Sequence, residues 1–464
     1  MRWLVRGLLL LSLAFANLND IWSPDVVPNA LFAWTVLRQG NVDYDEFTGP
    51  SGSGLLDREA YFFRACGRST ATEQPKAVRS VGGPPAAGPN DHVCSVFPPG
   101  MAIVALPFFA PVVLSGASPV DVALLVRVGH LVAAVVETIA ALLLWSVFRR
   151  FTTARWSLAL VLLYVLATSV RTVAAQALWQ HAGVHLALAV ALWLVLEERL
   201  ISLRRELLAG LALGLGGVVR QTTVIASAGL VLGRPRASLA VAAGTVVGLL
   251  PLLAYDAIAF GDALEHGYGT KPFDTPLWTG LYGLLLSPSR GMLVYMPYLV
   301  AALVALVLAW RRAGHVARRL RGLSLAWLAT LLLYATYAEW WGGRVFGARF
   351  LDDLAPVLFA ALAWGIGSGL LARPPSRALF WIGAAWSLLL FQVAAFVYDQ
   401  RWDTEPVNVN FAPARLLDWA DPQWLSVLGD VPRYGARVVA AAALTLLIVA
   451  LLIRIETKTV RPST

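Results

Sequence analysis

Residues 120–148 read VDVALLVRVGHLVAAVVETIAALLLWSVF and are followed at once by the basic pair Arg149-Arg150. A helix needs about 20 predominantly apolar residues to cross a bilayer, and this run is long enough. The whole chain has the same character, because 58% of its 464 residues are hydrophobic and only 14% are charged. Soluble domains carry about 25% charged residues. The sequence therefore predicts an all-α integral membrane protein.

Similar apolar runs recur along the chain and predict a single domain, residues 1–464, with about 12 transmembrane helices. The runs at 206–219 and 222–233 are short, so they predict either a helical hairpin or one bent helix. The remaining runs lie at about 3–18, 156–173, 181–198, 237–260, 291–310, 323–338, 351–371, 378–398 and 434–454.

The connections between these runs alternate in charge. One set is short and basic, and by the positive-inside rule it faces the cytoplasm, together with both chain ends. The other set carries nearly all the acids and faces outward, at residues 17–119, 261–290 and 398–433. The net charge of +9 thus reflects membrane orientation and predicts no nucleic-acid partner. The basic connections contain Arg149-Arg150, Arg155, Arg199, Arg204-Arg205, Arg234, Arg236, Arg311-Arg312, Arg321, Arg373 and Arg377.

The segment 97–116 resembles a short span but breaks this alternation if it crosses the membrane. Counting it as a crossing would place Arg149-Arg150 outside and invert every later loop against the charge bias. Its prolines and aromatic residues suit a helix that lies in the outer membrane interface instead.

Both cysteines, Cys66 and Cys94, lie in the first outward loop. An oxidising compartment permits a disulfide between them, and the bond would restrain the Gly/Pro-rich segment that they bracket. Two unpaired thiols are the alternative.

Several outward motifs together resemble a known family. The first loop contains SPDVVPNA (23–30), LRQGNVDYDEF (37–47) and SVFPPG (95–100), and later loops contain LSPSRG (286–291) and WGGRVFGARF (341–350). In this order, and all on one side, they resemble the bacterial GT-C glycosyltransferases. These enzymes use polyprenyl-phosphate sugars and are related to the protein O-mannosyltransferases and to the aminoarabinose transferase of lipid A.

The resemblance implies an inverting transfer of a sugar from a polyprenyl-phosphate donor, with a first-loop aspartate as general base. Asp25 matches the family's first-loop acid, and Asp20 is the second candidate. A base must lie within hydrogen-bond reach of the acceptor's hydroxyl. The alternative role for Asp25 is a turn residue between Pro24 and Pro28.

A departing phosphate is an anion, which guanidinium groups bind well. Outward arginines beside helix ends are therefore expected to hold the donor phosphate, although interfacial snorkelling is the ordinary alternative. Asp352-Asp353 are expected to pair with these arginines, and Glu137 to pair inside the bundle. The phosphate-binding candidates are Arg127, Arg220, Arg290, Arg344 and Arg349, and the substrate-binding candidates are Gln180, His181, His185 and Trp341.

A metal site has weak support in the sequence. Many enzymes of this fold carry a further outward acid where this chain reads residues 171–181, without a carboxylate. His181 and His185 have the i, i+4 spacing of metal ligands but lack a partnering glutamate. No cofactor is therefore predicted, and a bound divalent metal stays open.

The sequence thus predicts a multi-pass enzyme of a bacterial cytoplasmic membrane, with its active site facing outward. Its partners would be the lipid-linked donor, membrane lipid and an extracytoplasmic acceptor that is a glycan, a lipid or a protein. A transporter or flippase of lipid-linked sugars is the alternative from another class, and a structural membrane subunit is a third. Transporters usually show repeated halves and broken midplane helices, which the sequence does not display outside 206–233.

Overall fold

A computed structural model describes residues 2–16, 23–48, 56, 62–66, 92–197, 202–231, 235–265, 267–268 and 272–459. Helices dominate these residues, and one two-stranded sheet lies among them. The predicted class, an all-α membrane bundle, is confirmed. The helices are α1 (Arg2–Phe15), α2 (Val27–Trp34), α3 (Gly100–Leu114), α4 (Val122–Phe151), α5 (Ala154–Leu166), α6 (His181–Val195), α7 (Leu203–Val219), α8 (Val224–Val231), α9 (Pro235–Phe260), α10 (Leu277–Leu286), α11 (Met292–Tyr295), α12 (Val300–Trp310), α13 (His315–Thr336), α14 (Arg349–Asp352), α15 (Ala355–Gly367), α16 (Pro374–Val397), α17 (Arg401–Thr404), α18 (Gln423–Gly429) and α19 (Gly435–Thr459).

Within the described residues, four helices are long and apolar enough to cross a membrane: α4, α9, α16, and α19 with the turn before it. The helix pair Pro297–Trp310 and His315–Thr336 is bent by 119° at its break, so α12 and α13 meet at a corner. Shorter apolar helices fill the rest of the bundle. One hydrophobic core extends through it from Leu10 to Leu452.

The helix bounds follow the apolar runs closely, with two informative differences. The short runs at 206–219 and 222–233 are α7 and α8, separated at Arg220, whose extended backbone (φ −153°, ψ 117°) ends α7. Helix α10 lies within the predicted loop 261–290 and was not expected, because ten apolar residues are too few to span a membrane. Segment 97–116 forms α3, which packs against α2 and α7.

Helices α7 and α9 form a tight pair along facing glycines. A Cβ on Gly210 would lie 2.0 Å from the carbonyl oxygen of Val241, and one on Gly244 would lie 2.0 Å from that of Leu207. Gly214 and Gly248 repeat the arrangement one turn later. Small residues four apart let membrane helices approach this closely.

The first outward loop is closed on itself by a short sheet and packs onto the bundle through its Pro-Pro-Gly motif. Strands β1 (Phe63–Cys66) and β2 (His92–Ser95) pair antiparallel, and a disulfide joins Cys66 to Cys94. Gly100, which ends the Pro-Pro-Gly motif, packs onto the last turn of α7, where a Cβ would lie 2.4 Å from the backbone nitrogen of Val219.

At the basic end of the bundle, ion pairs connect α19 to α1 and α4. The buried Glu456 carboxylate of α19 forms an ion pair with Arg6 of α1, and its other oxygen lies 2.9 Å from Nη1 of Arg149. This end is the predicted cytoplasmic side.

Candidate active site

Asp25 lies in a short 3₁₀ turn, Pro24–Val26, directly before α2. Its side chain is buried, with 9% of the residue exposed. The hydroxyl of Ser23 and the indole Nε1–H of Trp179 both donate to Oδ1, the latter over 2.7 Å. Arg349 Nη2 donates to Oδ2 over 2.7 Å. Burial raises the pKa of Asp25, but the Arg349 charge and the three hydrogen bonds together hold it below its ordinary value. The carboxylate is therefore ionised at neutral pH.

Arg349 connects Asp25 to the start of α6. Its Nε donates to Nε2 of His181 over 2.8 Å, and its Nη1 donates to the carbonyl oxygen of Gly342 over 3.0 Å. Its guanidinium also lies over the Trp179 ring, 5.0 Å from the ring centroid. The loop that presents Arg349 needs left-handed backbone at Gly342 (φ 74°) and Gly347 (φ 85°), which glycine adopts without strain.

His181 extends the network to a second carboxylate. Its Nδ1 lies 2.6 Å from Oδ1 of Asp353. Because its Nε2 accepts from Arg349, Nδ1 must carry the proton, and the imidazole is neutral. Asp353 Oδ2 in turn lies 3.2 Å from Nε of Arg220, so the expected pairing of the Asp352-Asp353 motif with an arginine is confirmed for Asp353.

Arg220 is the last member of this row of polar groups and lies beside the stacked rings of Tyr334 and Phe350. Its guanidinium lies 5.1 Å from the Phe350 centroid, and its Nε also donates to the Tyr334 hydroxyl over 3.2 Å. Neither terminal nitrogen makes a hydrogen bond to a described residue. We call Asp25, Arg349, His181, Asp353 and Arg220 the polar row.

The direction of the chain places the polar row at one end of the bundle. His181 begins α6, Arg220 follows the last residue of α7, and Asp353 follows the last residue of α14, two residues before α15 begins. The basic connections lie at the opposite ends of these same helices. The row is therefore at the end predicted to face outward.

A second network lies one turn deeper. His185 Nδ1 lies 3.1 Å from Oε2 of Glu137, and its Nε2 lies 2.8 Å from the carbonyl oxygen of Asp352. With Glu137 ionised, both of these partners only accept hydrogen bonds, so both ring nitrogens donate and His185 is an imidazolium. Tyr164 donates its hydroxyl proton to the same carboxylate, to Oε1. The expected pairing of Glu137 inside the bundle is confirmed.

Three sequence-predicted phosphate ligands lie outside the polar row. Arg127 is exposed on α4. Arg290 is buried, with Nη2 2.6 Å from Oδ1 of Asp403 and Nη1 2.9 Å from Oε1 of Gln423, so it holds the last outward loop in place. Arg344 is half-buried and makes no hydrogen bond to a described residue.

The other candidates are distributed around the site. Gln180 accepts from the Tyr268 hydroxyl over 3.3 Å, and its buried Nε2 has no partner among the described residues. Trp341 donates from Nε1 to Asn410 over 3.1 Å, in the last outward loop. Asp20 lies outside the described residues. Trp179 and Tyr334 were not predicted, and the adjacency of Trp179 to Gln180-His181 was the available signal.

One group of metal-ligand residue types is found in the described part of the chain. Ligand atoms of Asp43, Asp45 and His92 all lie within 4.8 Å of one another. Asp45 already accepts from the backbone N–H of Val93 over 2.8 Å and lies 2.6 Å from Nδ1 of His92. Internal hydrogen bonds thus satisfy much of this group without a cation.

Comparison with known proteins gave one distant similarity. No protein family and no curated protein matches the chain. Among solved structures, the chain is similar to ArnT from Cupriavidus metallidurans, crystallised with undecaprenyl phosphate, at a TM-score of 0.47 and 14% sequence identity. The match covers 98% of this chain and 77% of that chain.

Proposed function

We propose that this chain is a membrane glycosyltransferase that moves a sugar from a polyprenyl-phosphate carrier to an acceptor on the outer side of a bacterial cytoplasmic membrane. The observation that carries the proposal is the polar row, in which an ionised first-loop carboxylate and two guanidinium groups converge at one end of an apolar bundle. Burying such charges costs several kcal/mol unless they are paired with one another or bind a charged substrate.

In the proposed reaction, a hydroxyl oxygen of the acceptor attacks the anomeric carbon from the face opposite the phosphate. The new C–O bond forms as the bond to the phosphate oxygen breaks, so the configuration inverts. Asp25 accepts the hydroxyl proton, and polyprenyl phosphate leaves with the electron pair of the broken bond. Because Asp25 has a low pKa, it takes this proton only once bond formation has made the hydroxyl acidic.

Each arginine has a distinct part in this proposal. Arg349 orients the base, because one guanidinium fork holds both Asp25 and His181. Arg220 keeps two terminal nitrogens for the donor's phosphate, whose negative charge grows as the sugar departs. His181, as a neutral hydrogen-bonded bridge, spaces the two guanidinium groups without adding charge.

The test begins with deletion of the gene and mass spectrometry of envelope glycans, glycolipids and glycoproteins, followed by complementation. We expect the deletion to remove one sugar, and Asp25→Asn to fail to restore it while keeping normal expression and donor binding. The matched control is Asp274→Asn, an exposed aspartate on the same side, which should complement fully. Full activity of Asp25→Asn would exclude it as the base.

Donor binding tests the phosphate site, and sugar transfer separates the enzyme from a transporter. Arg220→Ala should weaken binding of the lipid-phosphate sugar to the purified protein in detergent by about tenfold or more, since one charged hydrogen-bond partner is lost. Unchanged affinity would remove Arg220 from the phosphate site. If the purified protein binds the donor but transfers the donor's sugar to no acceptor, the transporter hypothesis gains support over the enzyme hypothesis.

A further inference from the structure

A second polar site lies at the opposite end of the bundle, in the corner where α12 and α13 meet. A cavity of about 240 Å³ opens there, lined by Trp310, Arg318, Arg321, Gly322 and Leu325. The proposed sugar transfer makes no use of it. The indole Nε1–H of Trp310 donates to the hydroxyl of Ser324 over 3.0 Å, which fixes this ring as a wall of the cavity.

The two arginines of this cavity have no anionic partner in the described part of the chain. The neighbouring Arg319 does have one, since it forms a buried ion pair with Glu206 and donates to the carbonyl oxygen of Leu230 over 2.7 Å. Arg318 and Arg321 enter no ion pair there, and Nε of Arg321 is buried without a hydrogen bond. A buried guanidinium N–H without an acceptor is costly, and two guanidinium groups without a described carboxylate give the cavity a positive charge that an anion would neutralise.

The surroundings of the cavity suit a lipid better than a soluble ion. Below the corner, α13 exposes Leu325 (40%), Leu328 (45%) and Leu332 (40%), which lie on one helical face. On α12, Val304 and Val307 are exposed by 45% and 60%. An apolar strip thus leads from the two arginines toward the middle of the bundle, in the direction that acyl chains would take.

The cavity also lies at an end of the bundle, where a headgroup would lie. Nε2 of His315, the first residue of α13, lies 3.3 Å from the carbonyl oxygen of Val195, the last residue of α6. Arg150 binds the same end of α6 through the carbonyl oxygen of Trp193, over 2.7 Å. The corner therefore belongs to the basic, cytoplasmic end, where basic pockets between helices bind anionic headgroups.

We propose that this corner is a binding site for an anionic phospholipid of the cytoplasmic leaflet. Arg318 and Arg321 hold the phosphate, Trp310 packs on the glycerol region, and the strip formed by α12 and α13 holds an acyl chain. The site is independent of the sugar-transfer proposal.

The experiment measures lipid binding to the purified full-length protein in detergent by native mass spectrometry, with phosphatidylglycerol and phosphatidylcholine as probes. The wild-type protein should prefer phosphatidylglycerol. The double variant Arg318→Gln/Arg321→Gln should weaken phosphatidylglycerol binding about 10- to 30-fold, from roughly 1 kcal/mol for each lost cation near the membrane surface. Equal binding of the two lipids by the wild-type protein would overturn the proposal without any variant.

The matched control is Arg311→Gln/Arg312→Gln, which removes two exposed cations from the same membrane end but outside the cavity. It should weaken binding less than about threefold, and a loss equal to that of the cavity variant would show general surface attraction instead. The charge-preserving variant Arg318→Lys/Arg321→Lys should still prefer phosphatidylglycerol. It keeps the proposal testable if the glutamine variant fails to fold. Glycerol 3-phosphate, added at the same concentration as phosphatidylglycerol, should not displace the lipid. Displacement as effective as that by a second anionic lipid would overturn the lipid assignment in favour of a soluble phosphate.

Discussion

At the scale of single residues, two histidines one helical turn apart have different charge states. His181 accepts a hydrogen bond from Arg349 and is neutral, whereas His185 donates from both ring nitrogens and is cationic. The deeper pair also positions the site, because His185 binds the carbonyl oxygen of Asp352, directly before Asp353. The chemistry of each ring is set by its partners, which the i, i+4 spacing alone does not reveal.

The Glu137–His185 pair is predicted to be strongly coupled. Glu137→Gln and His185→Gln should each lower the free energy of unfolding by about 3–5 kcal/mol, because each leaves a buried charge without its partner. The double variant should lose less than the sum of the two. Thermal unfolding of the four proteins in one detergent measures the coupling.

The control cycle uses Glu197 and Arg205, a more exposed ion pair on the same protein with side chains 38% and 25% exposed. Such pairs contribute about 0–1 kcal/mol. Additive losses at Glu137 and His185 would show that they act independently.

At the scale of elements, the sequence predicted helices better than contacts. The run 181–198 became α6 and 237–260 became α9, because an apolar segment within a membrane satisfies its backbone hydrogen bonds by folding as a helix. The row partners Asp25 and Arg349 were each predicted, but their contact was not, since 324 residues separate them and only the packed bundle brings them together. Arg290 was predicted to bind phosphate, but its sequence motif does not reveal that Asp403 already binds it.

The tight α7–α9 pair is predicted to depend on its glycines. Gly244→Leu should prevent the close approach, since even a Cβ would lie 2.0 Å from the carbonyl oxygen of Leu207. We expect a loss of about 2 kcal/mol or more through overpacking, with weaker donor binding because α7 ends at Arg220. Leu239→Ile, at an exposed position of α9, is the control. A normal unfolding midpoint for Gly244→Leu would contradict the packing.

The turn Asp45–Phe47 of the first outward loop is predicted to make stability depend on pH. Both carboxylate oxygens of Glu46 are buried without a hydrogen bond to a described residue, and burial raises the pKa of Glu46 to about 7. An unfolded chain releases this proton near pH 4.3. Stability should therefore fall as pH rises from about 4.3 to about 7, and stay level above that range.

The check compares unfolding midpoints of the wild-type protein and Glu46→Gln at pH 5 and pH 8. The variant should lack this contribution and gain stability relative to the wild-type protein at pH 8. An equal difference between the two proteins at both pH values would refute the assignment.

At the scale of the whole molecule, charge is divided between two ends. The polar row lies at one end, and the arginine-rich corner and the Glu456 ion pairs lie at the other. This division is expected if the first end faces outward and the second contacts the cytoplasmic leaflet.

The orientation is predicted to be visible by chemical labelling of intact spheroplasts. A cysteine at Asp274→Cys should react with a membrane-impermeant maleimide, whereas one at Ala313→Cys should react only after lysis. Both positions are exposed, and the native cysteines are joined in a disulfide, so background labelling should be low. The reverse pattern would invert the orientation and place the polar row in the cytoplasm.

The ion pairs of Glu456 have a consequence for biosynthesis. Arg6 and Arg149 enter the membrane hundreds of residues before the ribosome makes their shared carboxylate, so both guanidinium groups must stay hydrated or lipid-paired while the nascent chain grows. Insertion of α19 then supplies the missing anion and joins α19 to α1 and α4. In a nascent chain halted before α19, both arginines would therefore still lack this carboxylate.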